Sequence, residues 1–206
     1  ISHLEFLPPV LLRDIDNQPI PVTASIRCTV KYSVPIVYVN KNWAGLSFGT
    51  DPDGTGPAEK FGIDAYATFQ DAYNAASDGA LYFLNAGEYD HDLSFAKDAT
   101  IRLLGIGTLS CTGNFSVTDN AGVTLETSLT VAGDVSAAEG DVMVSATASL
   151  NLSTTSLLTE SNLHQVTGRV TTERVIGTAG SNFGGIGITI GNGSNELGLT
   201  KVTRIT

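Results

Sequence analysis

Short apolar strands recur about every twenty residues from Leu81 onward, and no other feature of the chain limits its fold as tightly. Leu81 and Phe83 are followed by Ile101 and Leu103, by Val123 and Leu125, and by Val142 and Val144. A second column runs Tyr89, Leu109, Leu129 and Leu150, with His91, Cys111, Val131 and Leu152 beside it. A third runs Phe95, Phe115, Val135 and Leu157. Three short strands per period, each alternating inward and outward, make one coil of a three-faced solenoid. Coils stack about 4.8 Å apart, so like side chains lie above one another inside. The expected fold is therefore all-β, a right-handed parallel β-helix of about 20 residues per coil.

Strands this short are unstable alone, so stacking must supply the core, and the first coil needs a lid. Thr68 with Asp71 three residues later forms a capping box, and Phe69, Ala72, Tyr73 and Ala76 follow at helical spacing. Ser77-Asp78-Gly79 stops that short N-terminal capping helix. Three regions follow: an N-terminal β arm or remnant of a preceding domain over 1–34, a leading strand, loop and capping helix over 35–79, and the solenoid over 80–206. Beyond 162 the period loosens, although Leu150 and Val170, and Leu163 and Phe183, keep it. That stretch reads as further, less regular coils ending in Ile186, Ile188 and Ile190 and then in Val202 and Ile205.

A net charge of −10, from 21 acids against 11 bases, leaves little to neutralise phosphates, so nucleic acid is not an expected partner. No apolar run approaches the ~20 residues of a membrane-spanning helix. The chain opens at Ile1 without the basic end and apolar run of a signal peptide, as expected of a processed exported chain or an excised fragment. Cys28 and Cys111 alternate with apolar neighbours and read as buried thiols, with a bridge between them as the alternative.

An enzyme built on such a scaffold needs convergent carboxylates with Gln or Arg on one face of neighbouring coils. The only acidic column is Asp78, Asp98, Asp119, then Glu139 with Asp141, then Glu160. Gly, Ala, Asn or Ser follows most of these acids, as at a recurring corner. Carboxylates one coil apart must be solvated or bridged by cations. No Arg or Lys recurs beside them. His91, between Asp90 and Asp92, falls in the column of Cys111 and reads as a packed histidine. The loop Asp51-Pro52-Asp53-Gly54-Thr55-Gly56 resembles half a calcium loop, with Asp51, Asp53 and Thr55 at alternate positions. Gly62 stands where the closing bidentate Glu belongs, so Glu59 or Asp64 would have to substitute; an ion-free polar turn is the other reading.

Leu4, Phe6, Leu7, Val10, Leu11 and Leu12 form an apolar arm, and Val22 to Tyr32 alternates like a strand. Such an arm packs back on its own solenoid, belongs to a neighbouring domain, or is donated to the sheet of another copy, linking a fibre.

Val37-Tyr38-Val39-Asn40, the run from Phe61 to Ala72, Asp78-Gly79 and Ala86-Gly87-Glu88-Tyr89 resemble the opening of many right-handed β-helix proteins, pectinesterase-like enzymes and surface proteins alike. Val166-Thr167-Gly168-Arg169-Val170, Phe183-Gly184-Gly185-Ile186-Gly187 and the run from Leu197 to Arg204 resemble a segment of large secreted repeat proteins of Bacteroidota, of adhesin or type IX secretion cargo type. The resemblance covers roughly 37–206. It implies an extracellular or cell-surface structural or adhesive module, whose partners are copies of itself, other surface proteins or surface glycans. The alternative is a carbohydrate-active enzyme of pectinesterase or polysaccharide-lyase type.

Overall fold

The computed structural model describes residues 16, 35–89, 91–176, 183–187 and 198–206. The chain divides into two units, Ile1–Ser33 and Val34–Thr206. Only Asp16 of the first is described, in a turn, so the arm residues Leu4 to Leu12 and the alternating strand through Cys28 lie outside the described residues.

The second unit contains a parallel β-solenoid of about four turns. Its first face stacks Ile36–Val39, the start of Ala80–Tyr89, the start of Ala99–Cys111, Gly122–Leu125, Asp141–Val144 and Val166–Thr167. The ends of the two long strands turn a corner onto the second face and continue through Leu129–Val131, Leu150–Leu152 and Arg169–Ile176. Leu93–Phe95, Phe115–Val117, Val135–Ala137 and Leu158–Glu160 build the third face. Every inner column is buried: Val37, Tyr82, Ile101, Leu125 and Val144 on the first face; Leu109, Leu129, Leu150 and Val170 on the second; Leu93, Phe115, Val135 and Leu158 on the third. Alternation places the polar residue between two apolar ones outside, as Ser94, Ser116 and Ser136 are placed.

The fold is the expected one, but the register differs in the first two coils. Tyr82 and Leu84, both 0% exposed, point inward in place of Leu81 and Phe83. Ile101 lies beside Leu125, and Val123 beside Ala99. The run Leu81-Tyr82-Phe83-Leu84 is apolar on both sides, so hydrophobicity alone does not choose its inner face. Phe83 finds outer partners in Tyr38, stacked at 5.3 Å, and Arg102, 5.4 Å from its ring centre. On the second face Tyr89 stacks on Cys111, and Gly87 on Leu109. On the third, Leu93 rather than Phe95 meets Phe115, while Leu158 is buried and Leu157 is 48% exposed. A fixed period fails because coil length varies, from 19 residues between Ala80 and Ala99 to 24 between Ala99 and Val123. The corner at Gly105-Ile106-Gly107 absorbs part of the difference, since Asn85 and Gly87 face Leu104 and Leu109.

Both ends carry a lid. Helix Phe69–Ala75 starts at Thr68, whose Oγ1 accepts the Asp71 N–H at 3.1 Å and donates to Asp71 Oδ2 at 2.6 Å. Phe69 packs on Tyr82 and Phe95, and Tyr73 on Phe95, closing the first coil with aromatic surface. At the other end the structure departs from further parallel coils. Gly198–Ile205 runs antiparallel to Arg169–Ile176 and finishes the second face. Arg204 Nη2 and Thr206 Oγ1 donate to Val166 O, at 2.9 and 3.3 Å, where the first face ends. Gly185 lies directly against Leu158 O at the end of the third face, with Ile186 buried beside it. At this end the second face gains a paired strand, and the other two faces meet side chains and a glycine from beyond Ile176.

Candidate functional site

Chemistry on a solenoid depends on which polar side chains point outward and are not already committed to the backbone. Most of the recurring acids here are committed. At the corner before the third face, the Asn114 N–H donates to Asp92 Oδ1 at 2.7 Å, the Asp134 N–H to Asn114 Oδ1 at 2.8 Å, and the Leu157 N–H to Asp134 Oδ1 at 2.9 Å. Each side chain takes the amide of the residue one coil on, so the corner is stitched along the axis. Ser116 Oγ donates to Ser94 Oγ at 3.0 Å on the adjoining outer column.

The corner before the first face works the same way. Asp78 Oδ1 accepts the Asp98 N–H at 2.8 Å, Asp98 Oδ1 the Gly122 N–H at 2.7 Å, and Asp141 Oδ1 the Gln165 N–H at 3.1 Å. Asp98 and Asp141 share a column with Gly122 between them, which leaves two carboxylates roughly 9.6 Å apart. Screening at that separation removes most of their repulsion. The expected acidic column is otherwise broken. Asp119 sits in a left-handed turn (φ 56°) with Asn120 (φ 58°), whose N–H donates to Glu139 O at 2.8 Å. Glu160 leaves the corner altogether. It sits in register with Ala137 at the end of an inner column, because Arg204 is there to meet it. Arg204 Nη1 donates to Glu160 Oε2 and Nη2 to Oε1, both at 2.7 Å, and the Val166 N–H adds a bond at 2.8 Å. Burial alone pushes this carboxyl up. The guanidinium and the amide overcome it and hold the group below the usual carboxylate range.

In the loop Asp51 to Gly56, Asp51 Oδ1 accepts the N–H of Asp53 at 3.2 Å and of Gly54 at 2.8 Å. Asp53 Oδ2 accepts the Ala58 N–H at 3.2 Å, and Asp64 takes the N–H groups of Glu59 and Lys60 at 3.0 and 2.7 Å. Thr55 contributes a backbone N–H to Asp53 O at 2.8 Å. Burial, with the nearby charges of Asp64, Asp53 and Glu59, pushes the Tyr38 phenol up. Among the described residues no group of three or more His, Cys, Asp or Glu side chains is arranged to hold a metal ion.

His91 is exposed rather than packed on Cys111, because Tyr89 takes the inner position. Cys111 is a buried free thiol whose Sγ donates to His91 O at 3.2 Å. Burial raises its pKa, which makes it a poor nucleophile. Exposure brings His91 into a pocket of about 290 Å³ between the start of the capping helix and the first coil. Lys41, Gln70, Glu88, Tyr89 and Asp92 line it with His91, above Phe69 and Leu93. Gly87, at φ 148°, turns the chain so that Glu88 faces out and Tyr89 in; the Lys41 Nζ passes 3.7 Å from where a Cβ on Gly87 would stand.

Comparison with protein-family models, with curated proteins and with solved structures gives no match.

The corner ladder is written in the sequence. Gly113-Asn114-Phe115-Ser116-Val117 and Gly133-Asp134-Val135-Ser136-Ala137 are one motif written twice, with His91-Asp92-Leu93-Ser94-Phe95 a looser copy. The glycines are steric requirements: a Cβ on Gly133 would lie 2.5 Å from Gly113 O and 2.6 Å from Asn114 Oδ1. This signal is carried by Gly, Asx and Ser and lies outside the apolar columns.

Proposed function

We propose that this chain is a non-catalytic structural or adhesive module of a secreted or cell-surface bacterial protein. The observation that carries this reading is the use made of the acids. Asp78, Asp92, Asp98, Asp134 and Asp141 each take a backbone N–H one coil away, so these recurring acids bind coil to coil. The result is a stiff body whose outer columns present Ser, Thr and Asn at fixed spacing.

A self-assembling fibre subunit is a special case of this reading, with the arm Leu4 to Leu12 as the donated segment. Light scattering of the purified protein with and without EDTA tests it. Large assemblies support the fibre, and their loss in EDTA with recovery on adding calcium makes calcium its cross-link, with Asp51, Asp53 and Thr55 the first residues to replace. A monomer in both conditions removes strand donation between isolated chains and leaves a lone surface module. The second reading, a carbohydrate-active enzyme, is favoured by one observation, the meeting of Glu88, His91 and Asp92 in a single pocket. Release of reducing ends or unsaturated products from pectin or polygalacturonate would overturn the non-catalytic reading.

A further inference from the structure

We propose that the pocket beside the capping helix binds a neutral sugar unit of a glycan chain. This rests on the adhesive reading above and supplies that reading with a ligand and a place. The polar groups of the pocket divide by chemistry. Glu88 and Asp92 are acceptors when ionised, whereas the Lys41 ammonium is a donor and the Gln70 amide offers a donor and an acceptor. Asp92 has one oxygen engaged by Asn114, and Gln70 Nε2 donates to Asn74 Oδ1 at 2.9 Å, which leaves each a further polar position. A ligand that serves strict acceptors and strict donors within one small volume must itself donate and accept at neighbouring atoms. Hydroxyl groups on adjacent carbons do so; a carboxylate or phosphate does not, and would face two like charges.

Ala67 and the partly buried Tyr89 line the apolar side of the pocket, with Phe69 and Leu93 buried behind them. A volume of about 290 Å³ suits one or two rings and not a long chain, so the glycan would enter by an end or a branch. The platform is rigid on both sides. The Thr68 cap fixes the helix, and the Asp92–Asn114 bond fixes the corner from which His91 projects. Glu88 lies at an outward, exposed position, and Lys41 is exposed as well, so neither is needed by the core.

Saturation-transfer NMR on the full chain tests the site with cellobiose, maltose, lactose, chitobiose and, as the charged comparison, digalacturonate. The expected result is saturable binding of at least one neutral disaccharide, with a midpoint on the order of 1 mM for so open a site. Lys41→Met and Glu88→Gln are each expected to weaken it about tenfold while leaving the melting temperature unchanged. No saturable binding by any neutral sugar, undiminished binding in both variants, or preference for digalacturonate would each overturn the site. Product analysis on the same samples separates the two claims. Neutral-sugar binding that is lost in the variants and accompanied by cleavage supports the pocket and sinks the non-catalytic reading. Absence of binding sinks the pocket and leaves the scaffold standing.

Discussion

Replacing Glu160 by Leu tests how the solenoid is closed at its C-terminal end. The Glu160 and Arg204 side chains are 18% and 16% exposed, and two bonds of 2.7 Å join them. Removing one partner of a fully buried pair costs about 3–5 kcal/mol, and an exposed pair is worth at most about 1 kcal/mol. At this exposure Glu160→Leu should cost about 3 kcal/mol, because Arg204 keeps only carbonyl partners at Val166 and Ile186. For a domain of this size that lowers the melting temperature by roughly 6–12 °C. Adding Arg204→Met removes the stranded charge and should recover about half of the loss. The remainder reflects the Val166 N–H, which loses Glu160 Oε1 in both variants. Urea titration followed by circular dichroism measures all three proteins, and hydrogen exchange of Gly198–Ile205 locates the effect. The pH dependence has a definite sign. The folded carboxyl titrates below the unfolded one, so its contribution is complete above about pH 4.3 and is lost as pH falls through the folded value. The double variant should lose that part of the acid dependence. A double variant as unstable as Glu160→Leu, or a single variant costing under about 0.5 kcal/mol, would refute the closure argument.

Asp134→Ala should cost about 1–2 kcal/mol in urea titration by leaving the Leu157 N–H without its acceptor, while Asp134→Asn, which keeps an oxygen there, should cost under about 0.5 kcal/mol. Gly133→Ala should cost about 2–3 kcal/mol, since the new Cβ meets backbone at 2.5 Å and the coils must separate; a melting temperature within about 2 °C of the parent would contradict the close stacking at this corner.

The fold was legible because its core repeats. Val123 with Val142, and Leu109 with Leu129 and Leu150, stand in the structure as their spacing suggests. The capping helix was legible from Thr68 and Asp71, whose bond is local. Register failed where local sequence was ambiguous, as in the all-apolar run at Leu81, or where a corner loop changed coil length, as at Ile106. The pocket could not be read at all. It depends on His91 pointing outward, which follows from Tyr89 pointing inward, which follows from the Gly87 turn and the register it sets. Glu160 was misplaced for a related reason: an acid at an inward position is tolerated only with Arg204, forty-four residues away, and no periodicity announces such a partner.

The stitched corner also has a direction. Asp92, Asn114 and Asp134 each accept, at a side-chain oxygen, the N–H of the coil that follows, and the series stops at Leu157, whose side chain has no oxygen to accept another. A duplicated unit carrying Gly-Asx-apolar-Ser-apolar, inserted above Leu157, would find a waiting acceptor on one side and a waiting amide on the other. The molecule therefore carries its own rule for growth: its length can change in steps of about 4.8 Å, one coil at a time, without redesign of either lid.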